Sequence, residues 1–356
     1  MVPDASKSKV LVLYVGGTMG MKVDEQGSLR PSKGYLSSVI RTMPEINDEL
    51  DMPEVVVLEY DELVDSSDMD HTDWAKIVID IEANYFMYDG FCLVMGTDTL
   101  AYTASALSFM LENLGKPVIV TGSMIPFKEG YSDARRNLLI SLFLAGSLHI
   151  PEVCVFFHDK LLRGNRSKKM TTDQLGAFSS PNFEALAQIG VKPHYQYSLF
   201  RPPPMRPFKA HKQMDNGIIA LKLIPGYDDS IFELIKTITS IKAVILELYG
   251  TGNAPSRKLS MVNCLKQIVL SGKLIVVVSQ CPTGVVDLPA YAVGQQLEAI
   301  GCVSGGDMTM EAVSTKLSYL FGRGLTKESV RAAMKENLRG ELSVQSTAIS
   351  KLMAYL

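Results

Sequence analysis

An excess of charge of either sign is missing from this sequence: 35 lysines and arginines face 38 aspartates and glutamates, a net charge of −3. That balance supplies no general attraction toward nucleic acid or an anionic membrane surface. Nor does any apolar run approach the ~20 residues that a spanning helix needs. The first apolar stretch, Val10–Val15, is short and leads into G-G-T-M-G rather than a small-residue cleavage site. It therefore reads as a buried strand and not as a signal peptide. Cysteine is scarce and odd in number: Cys92, Cys154, Cys264, Cys281 and Cys302 contain no Cys-x-x-Cys pair. Three of them lie in or beside strand-like runs, where cysteine acts as a small hydrophobe, and a reduced, cytoplasmic protein is expected. The five histidines (His71, His149, His158, His194, His211) show no metal-ligand spacing, so no metal and no cofactor are implied. Internal repeats and low-complexity tracts are lacking as well.

What is present suits a folded chain of enzyme size. At 356 residues, roughly two domains of ~150 residues fit the length, and 47% hydrophobic with 21% charged residues excludes widespread disorder. Short β-branched runs alternate with helix-compatible ones, which is the α/β pattern. Strands are expected at Val10–Val15, Val55–Tyr60, Phe91–Met95, Val118–Thr121 and Val153–Phe157, with helices at His71–Tyr88 (capped by Asp70), Leu100–Leu114 and Asp133–Ala145. Most of these strands are apolar almost throughout, as in a largely parallel sheet covered on both faces. The run Phe200–Phe208, F-R-P-P-P-M-R-P-F, is too rich in proline for regular structure and suits a stiff connector. After it the rhythm restarts with strands at Ile218–Leu223, Ala243–Leu248 and Leu274–Val278. Helices follow near Ile231–Thr239, Ser260–Ser271, Ala290–Ile300, Thr309–Leu320 and Lys327–Asn337. The expected organisation is a domain over 1–200, a linker over 201–216 and a second domain over 217–356. The last residues, Ser343–Leu356, read equally as a short helix or a frayed tail.

Ligands of parallel sheets bind beyond the carboxyl ends of the strands. Three of those ends carry polar loops here: G-G-T-M-G at 16–20, D-S-S-D at 65–68 and G-T-D-T at 96–99. Taken singly each has a plain reading. G-G-T is usually a turn, and G-T-D-T before a helix is a possible cap. The glycine spacing matches neither G-x-G-x-x-G nor a P-loop, so nucleotide binding is poorly supported. A threonine nucleophile needs a neighbouring base or polarising group. The basic stretch Arg163–Lys169, R-G-N-R-S-K-K, offers lysines for that task; taken alone it is a solvated loop.

Together these loops, with L-S-F-M-L-E-N-L-G-K-P-V-I-V-T-G, Y-G-T-G-N-A-P, G-G-D-M-T-x-E-A and N-L-R-G-E-L, resemble the type I (cytosolic) L-asparaginases from about Val10 to Leu342. The resemblance implies a larger N-terminal α/β domain with a mixed or parallel sheet and a smaller flavodoxin-like C-terminal parallel-sheet domain. It implies hydrolysis of the side-chain amide of L-asparagine, with Thr18 as nucleophile and Thr97, Asp98 and Lys169 as a relay. Ser66 and Ser67 would hold the substrate α-carboxylate and Asp98 its α-ammonium. Backbone amides around Thr97 would steady the oxyanion. Asn253 would reach the site across a subunit interface of a homodimer or homotetramer. Two departures stand out. Where relatives place a tyrosine on the loop after G-G-T, this chain has Ser28, with Tyr35 and Tyr291 as candidate substitutes. At two positions lining a regulatory asparagine site in some type I members, Lys168 and Glu247 replace a threonine and an arginine, although Cys281 matches. Other functions for the same pocket are an ammonia-supplying subunit of a tRNA-dependent amidotransferase and a non-catalytic asparagine sensor. The charge balance and the absence of an added N-terminal RNA-associated domain weigh against the first. Retention of both threonines and the lysine weighs against the second.

Overall fold

The computed structural model describes residues 7–23, 27, 29–47, 49, 51–255 and 259–343; Ser28 and the tail beyond Ser343 fall outside them. The chain divides into two compact units between Gln213 and Met214.

In the first unit the elements are β1 (Lys9–Tyr14), α1 (Tyr35–Thr42), β2 (Glu54–Glu59), α2 (His71–Asn84), β3 (Gly90–Val94), α3 (Leu100–Met110), β4 (Val118–Thr121), α4 (Ala134–Ser147) and β5 (Val153–Phe157). The antiparallel strands β6 (Lys160–Arg163), β7 (Ala187–Ile189) and β8 (Pro193–Tyr195) follow. They form one sheet in the order β8-β7-β6-β5-β4-β3-β1-β2. The five strands from β5 to β2 run parallel, and β6 to β8 extend the β5 edge antiparallel. The parallel strands β1, β3 and β5 are buried along almost their whole length, which is why they read as continuous apolar runs. Cys92 and Cys154 lie within them, and burial pushes the Cys92 thiol up to about 12, as befits a packing residue.

The chain leaves β1 to one side, for β2, and then returns to the other side, for β3. This reversal creates a topological switch point between β1 and β3, where the loops at their carboxyl ends diverge and open a crevice. Helix α2 is started as expected by Asp70, whose carboxylate accepts from Thr72 N while Asp73 accepts from Asp70 N, and it buries Ile77, Val78 and Ile81. It stops at Asn84, four residues short of the expected end. Helix α3 also ends early, at Met110 rather than Leu114, because Leu111–Glu112 pairs with Lys209–Ala210 and Asn113 takes a left-handed φ of 55°. The proline-rich segment packs on this unit: Phe208 stacks on Tyr85 with ring centroids 3.8 Å apart, and Asn113 Nδ2 donates to Pro207 O at 3.0 Å.

The second unit contains β9 (Ile218–Lys222), α5 (Ser230–Thr237), β10 (Ala243–Leu248), α6 (Leu259–Leu270), β11 (Leu274–Ser279), α7 (Ala292–Ile300), β12 (Val303–Ser304), α8 (Met310–Gly322) and α9 (Lys327–Met334). Its sheet is parallel throughout, in the sequential order β9-β10-β11-β12. A core built from Val244, Leu246, Ile275, Val277, Phe232 and Leu265 joins that sheet to its helices. No helix among the described residues is long and apolar enough to cross a membrane.

Candidate active site

Three loops meet at the switch point, and glycine backbones are what let them touch. After β1, Gly16 and Gly17 adopt φ of 136° and 92°, a region that side chains strongly disfavour. A Cβ on Gly16 would lie 2.2 Å from Val64 O, and one on Gly17 would lie 2.2 Å from Gly96 N. A Cβ on Gly96 would in turn lie 2.6 Å from Ser66 Oγ. The loops after β1, β2 and β3 are thus in backbone contact, and Thr18 and Thr97 each lie one residue beyond the Gly17–Gly96 contact. Thr18 is half-buried and opens a single 3-10 turn, Thr18–Gly20.

Thr97 is buried, and its Oγ1 accepts from Lys169 Nζ at 2.8 Å. The same ammonium group donates to Asp98 Oδ1 at 2.6 Å, with the lysine side chain 16% exposed and the aspartate 65% exposed. Asp98 therefore keeps most of its carboxylate surface open. Thr99 does not cap α3 with its side chain, contrary to the capping reading of G-T-D-T; its hydroxyl donates to Ser66 O at 2.6 Å. Ser66 is buried under this loop and its Oγ accepts from Asp98 N at 3.2 Å, so that amide already has a partner. Ser67 is exposed, and both its amide and its hydroxyl donate to Asp65 Oδ1 at 2.9 Å.

Lys169 arrives on the short strand Lys168–Lys169, paired with Phe178–Ser179. The basic stretch leading to it is not a solvated loop. Arg163 and Glu152 form a buried pair at 2.5 Å, Arg166 is 2% exposed, and both guanidinium groups lie over the Phe183 ring, at 4.4 and 5.1 Å. A Cβ on Gly164 would meet Val153 O at 2.8 Å and Ala104 O at 3.0 Å, so this turn packs directly on α3. Helix α3 thereby supports Thr97 and Asp98 before its first residue and the approach to Lys169 along its side.

The loop after β4 is held by residues that local sequence patterns missed. Asp133 accepts from Met124 N and Ile125 N at 3.1 Å each, and Asn137 Nδ2 donates to Asp133 and to Gly122 O at 3.0 Å. Asn137 Oδ1 accepts from His158 N at 3.0 Å, joining the ends of β4 and β5. Gly122 faces Met95 O and Thr97 Cγ2, so this network backs the threonine. Its signal is the aspartate–asparagine pair at i, i+4. That reads as a helix start, yet Asp133 caps amides of the preceding loop and none of its own helix.

Tyr35, one of the two candidate substitutes for the loop tyrosine, opens α1 in the first unit, and the remaining candidates lie in the second. Asn253 closes a tight turn in which its amide donates to Tyr249 O at 2.7 Å and its carbonyl accepts from Tyr249 N at 3.0 Å. Tyr291 is 55% exposed at the start of α7. Among the described residues no group of three His, Cys, Asp or Glu is arranged to hold a metal.

Comparison with known proteins agrees with this geometry. The N-terminal asparaginase family profile matches residues 9–201, and the glutaminase/asparaginase C-terminal domain profile matches residues 218–334. L-asparaginase 1 of Escherichia coli strain K12 is 43% identical over 340 residues, which take in 95% of this chain and 98% of that protein. The crystal structure of L-asparaginase I from Vibrio cholerae is similar with a TM-score of 0.87 at 40% identity, covering 95% of this chain and 100% of that one. The thermostable L-asparaginase from Thermococcus kodakarensis gives a TM-score of 0.85 at 30% identity over the same share of each chain. With both family profiles matched in order and identity sustained over nearly the full length, the chain belongs to the asparaginase family.

Proposed function

We propose that the chain is an L-asparagine amidohydrolase that releases L-aspartate and ammonia through a threonine nucleophile. The observation that carries the reading is the lysine that binds Thr97 and Asp98 together, in the crevice where the G-G-T turn touches the same loop. In this reading Thr18 Oγ attacks the side-chain amide carbon, ammonia leaves, and water hydrolyses the β-aspartyl ester formed on the enzyme. A threonine hydroxyl is a weak nucleophile unaided. In the relay Thr97 takes the Thr18 proton while passing its own to Lys169 Nζ, which in the same movement gives one to the Asp98 carboxylate; the reverse sequence returns a proton to the leaving amine. The open face of Asp98 suits the substrate's α-ammonium, since an exposed carboxylate already fixed on one side by Lys169 retains lone pairs for a second cation. Ser67 is the more accessible of the two serines for the α-carboxylate, because Ser66 is buried under the G-T-D-T loop; to bind it, the Ser67 hydroxyl turns its proton from Asp65 to the substrate.

Asn253 and Tyr291 are assigned to completing the site of a neighbouring subunit in a homodimer or homotetramer, acting in the cytoplasm without cofactor, nucleic acid or membrane. Asparagine and glutamine differ by one methylene, worth only ~1–3 kcal/mol in a pocket, so some glutamine turnover is compatible with this assignment. The test is ammonia release by the purified protein over micromolar to millimolar L-asparagine, beside L-glutamine and Thr18→Ala. Loss of about 10⁴-fold or more in kcat in the variant, with an unchanged thermal midpoint, supports the assignment. Full activity of the variant would move the nucleophile elsewhere, and no release by the parent protein would sink the hydrolase.

A further inference from the structure

The glycines of the first loop do not all have the same reason to be there. Gly16 and Gly17 need their positive φ, whereas Gly20, at the end of the Thr18–Gly20 turn, does not adopt one. What Gly20 needs is space: a Cβ there would lie 1.9 Å from Tyr14 Oη, 2.5 Å from Cζ and 3.2 Å from Cε1. All three nearest atoms belong to one side chain. Tyr14 closes β1 and is fully buried, and its hydroxyl has no hydrogen-bond partner among the described residues. Burial, reinforced by the charge of Glu59, pushes that hydroxyl well above the ordinary tyrosine range, so it stays neutral and moves no proton in the reaction. A phenylalanine would fill the same place without burying a hydroxyl that lacks a partner. What the oxygen adds is a close neighbour that leaves no room for a side chain at Gly20.

The turn is also held by backbone bonds, from Ser32 N to Gly20 O at 3.1 Å, Phe127 N to Met19 O at 3.4 Å and Gly20 N to Gly17 O at 3.3 Å, and by the fully buried side chain of Met19. Thr18 is therefore set between two close contacts, Gly17 on Gly96 before it and Gly20 on Tyr14 after it. We propose that Tyr14 is a positioning residue for Thr18, its ring edge forming the seat that fixes where the Thr18–Gly20 turn stands against β1. The proposal rests on the reading of Thr18 as nucleophile. It adds a residue that never touches substrate and acts only through the turn.

A double-mutant cycle tests it, because the conflict at Gly20 is with the Tyr14 side chain alone. Tyr14→Leu removes the seat and Gly20→Ala overfills it. Each is expected to lower kcat for L-asparagine by about 10- to 100-fold, the scale of small misplacements of reacting groups, with KM changed less than about threefold. Tyr14→Leu/Gly20→Ala, in which the new methyl occupies space the ring has left, is expected to exceed both single variants in kcat. Amide hydrogen exchange over Met19–Met21 provides a readout that needs no turnover: faster in Tyr14→Leu and slowed again in the double variant. Tyr14→Phe keeps the fold safe by removing only the oxygen. It is expected to reduce kcat severalfold while its thermal midpoint stays at or above that of the parent. Losses that simply multiply in the double variant, or Tyr14→Phe and Tyr14→Leu with parental kcat and exchange, would overturn the seat. If the parent protein hydrolyses no asparagine, the functional reading fails separately, and the exchange pattern still decides this proposal.

Discussion

Each unit contains a lysine bonded to a carboxylate at 2.6 Å, Lys169 with Asp98 in the first and Lys316 with Glu341 in the second. The first comes from motifs visible in the sequence, R-G-N-R-x-x-K and G-T-D-T; of the second only Glu341 lies in one, the late N-L-R-G-E-L. Their surroundings separate them. Lys316 and Glu341 are fully buried, and every direction around them is used. Lys316 Nζ also donates to Glu336 O, and Glu341 accepts from Leu338 N at 3.0 Å and Arg339 N at 2.6 Å. That pair is closed and fastens the 336–341 segment to α8. The Lys169–Asp98 pair spends one lysine proton on Thr97 and leaves the carboxylate largely open. Length therefore says nothing about role: what distinguishes a site from a fastening is unspent hydrogen-bonding capacity facing solvent.

The sharpest way to break the comparison is to remove each lysine in turn. Lys169→Met is expected to reduce kcat about 10²- to 10⁴-fold, the usual range for a group that handles the reacting proton. Its thermal midpoint should hardly move, because its partner Asp98 is well hydrated. Lys316→Met should do the reverse. It strands a buried carboxylate and is expected to cost about 3–5 kcal/mol in stability, while the fraction that remains folded keeps near-parental kcat. Urea unfolding and steady-state kinetics on the two variants check both halves. A catalytic defect in Lys316→Met without destabilisation would remove the distinction.

Acid sharpens the closed pair further. Burial alone would raise the Glu341 pKa, but the charge and hydrogen bond of Lys316 and the two backbone amides outweigh it and hold the carboxyl below its ordinary range. Its contribution to stability is therefore fully present above about pH 4.3 and is lost as pH falls through that range. Burial likewise holds the Lys316 ammonium below the ordinary lysine range despite Glu341 and Glu336. In Lys316→Met the opposing charge is gone, burial prevails, and the Glu341 pKa rises above the ordinary value. The sign then inverts, because protonating the stranded carboxylate helps the variant. The stability gap between parent and variant should narrow from pH 7 to pH 5, and comparing the two proteins cancels the titration of every other carboxylate. A gap that stays constant over that interval would locate the cost of Lys316→Met outside Glu341.

The sequence made the parallel strands legible because burial on both faces leaves few polar residues in them, as in Val10–Tyr14 and Phe91–Val94. It also made Thr97, Asp98 and Lys169 legible as a group, through motifs and not through local propensity. Features that depend on distant partners stayed hidden. Helix α3 stops at Met110 because residues 111–112 pair with 209–210, and no periodicity within the helix announces that. Helix α1, Tyr35–Thr42, was not expected at all, although Leu36, Val39, Ile40 and Met43 recur at helical spacing and pack on the core; with eight residues it is too short to stand out by periodicity. Arg163 and Arg166 read as solvent-facing because Glu152 and Phe183, which hold them inside, belong to other segments. Charge in a sequence is a statement about hydration only until its partner is known.

A third lysine at the same distance provides the limiting case. Lys33 donates to Asp61 at 2.6 Å, with side chains 62% and 93% exposed, and each partner shifts the other's titration in the direction an ion pair demands: Asp61 is lowered and Lys33 raised. If short distance conferred stability or function, Lys33→Ala would behave like one of the other two variants. Hydration argues otherwise. Both groups regain water at once when the pair opens, and salt screens what attraction remains. The expected outcome is parental kcat, KM and thermal midpoint, the last unchanged between 0.05 and 0.5 M salt relative to the parent. A salt-dependent fall in the midpoint would show that the open edge beside β2 relies on this pair, and burial would no longer suffice to rank the three.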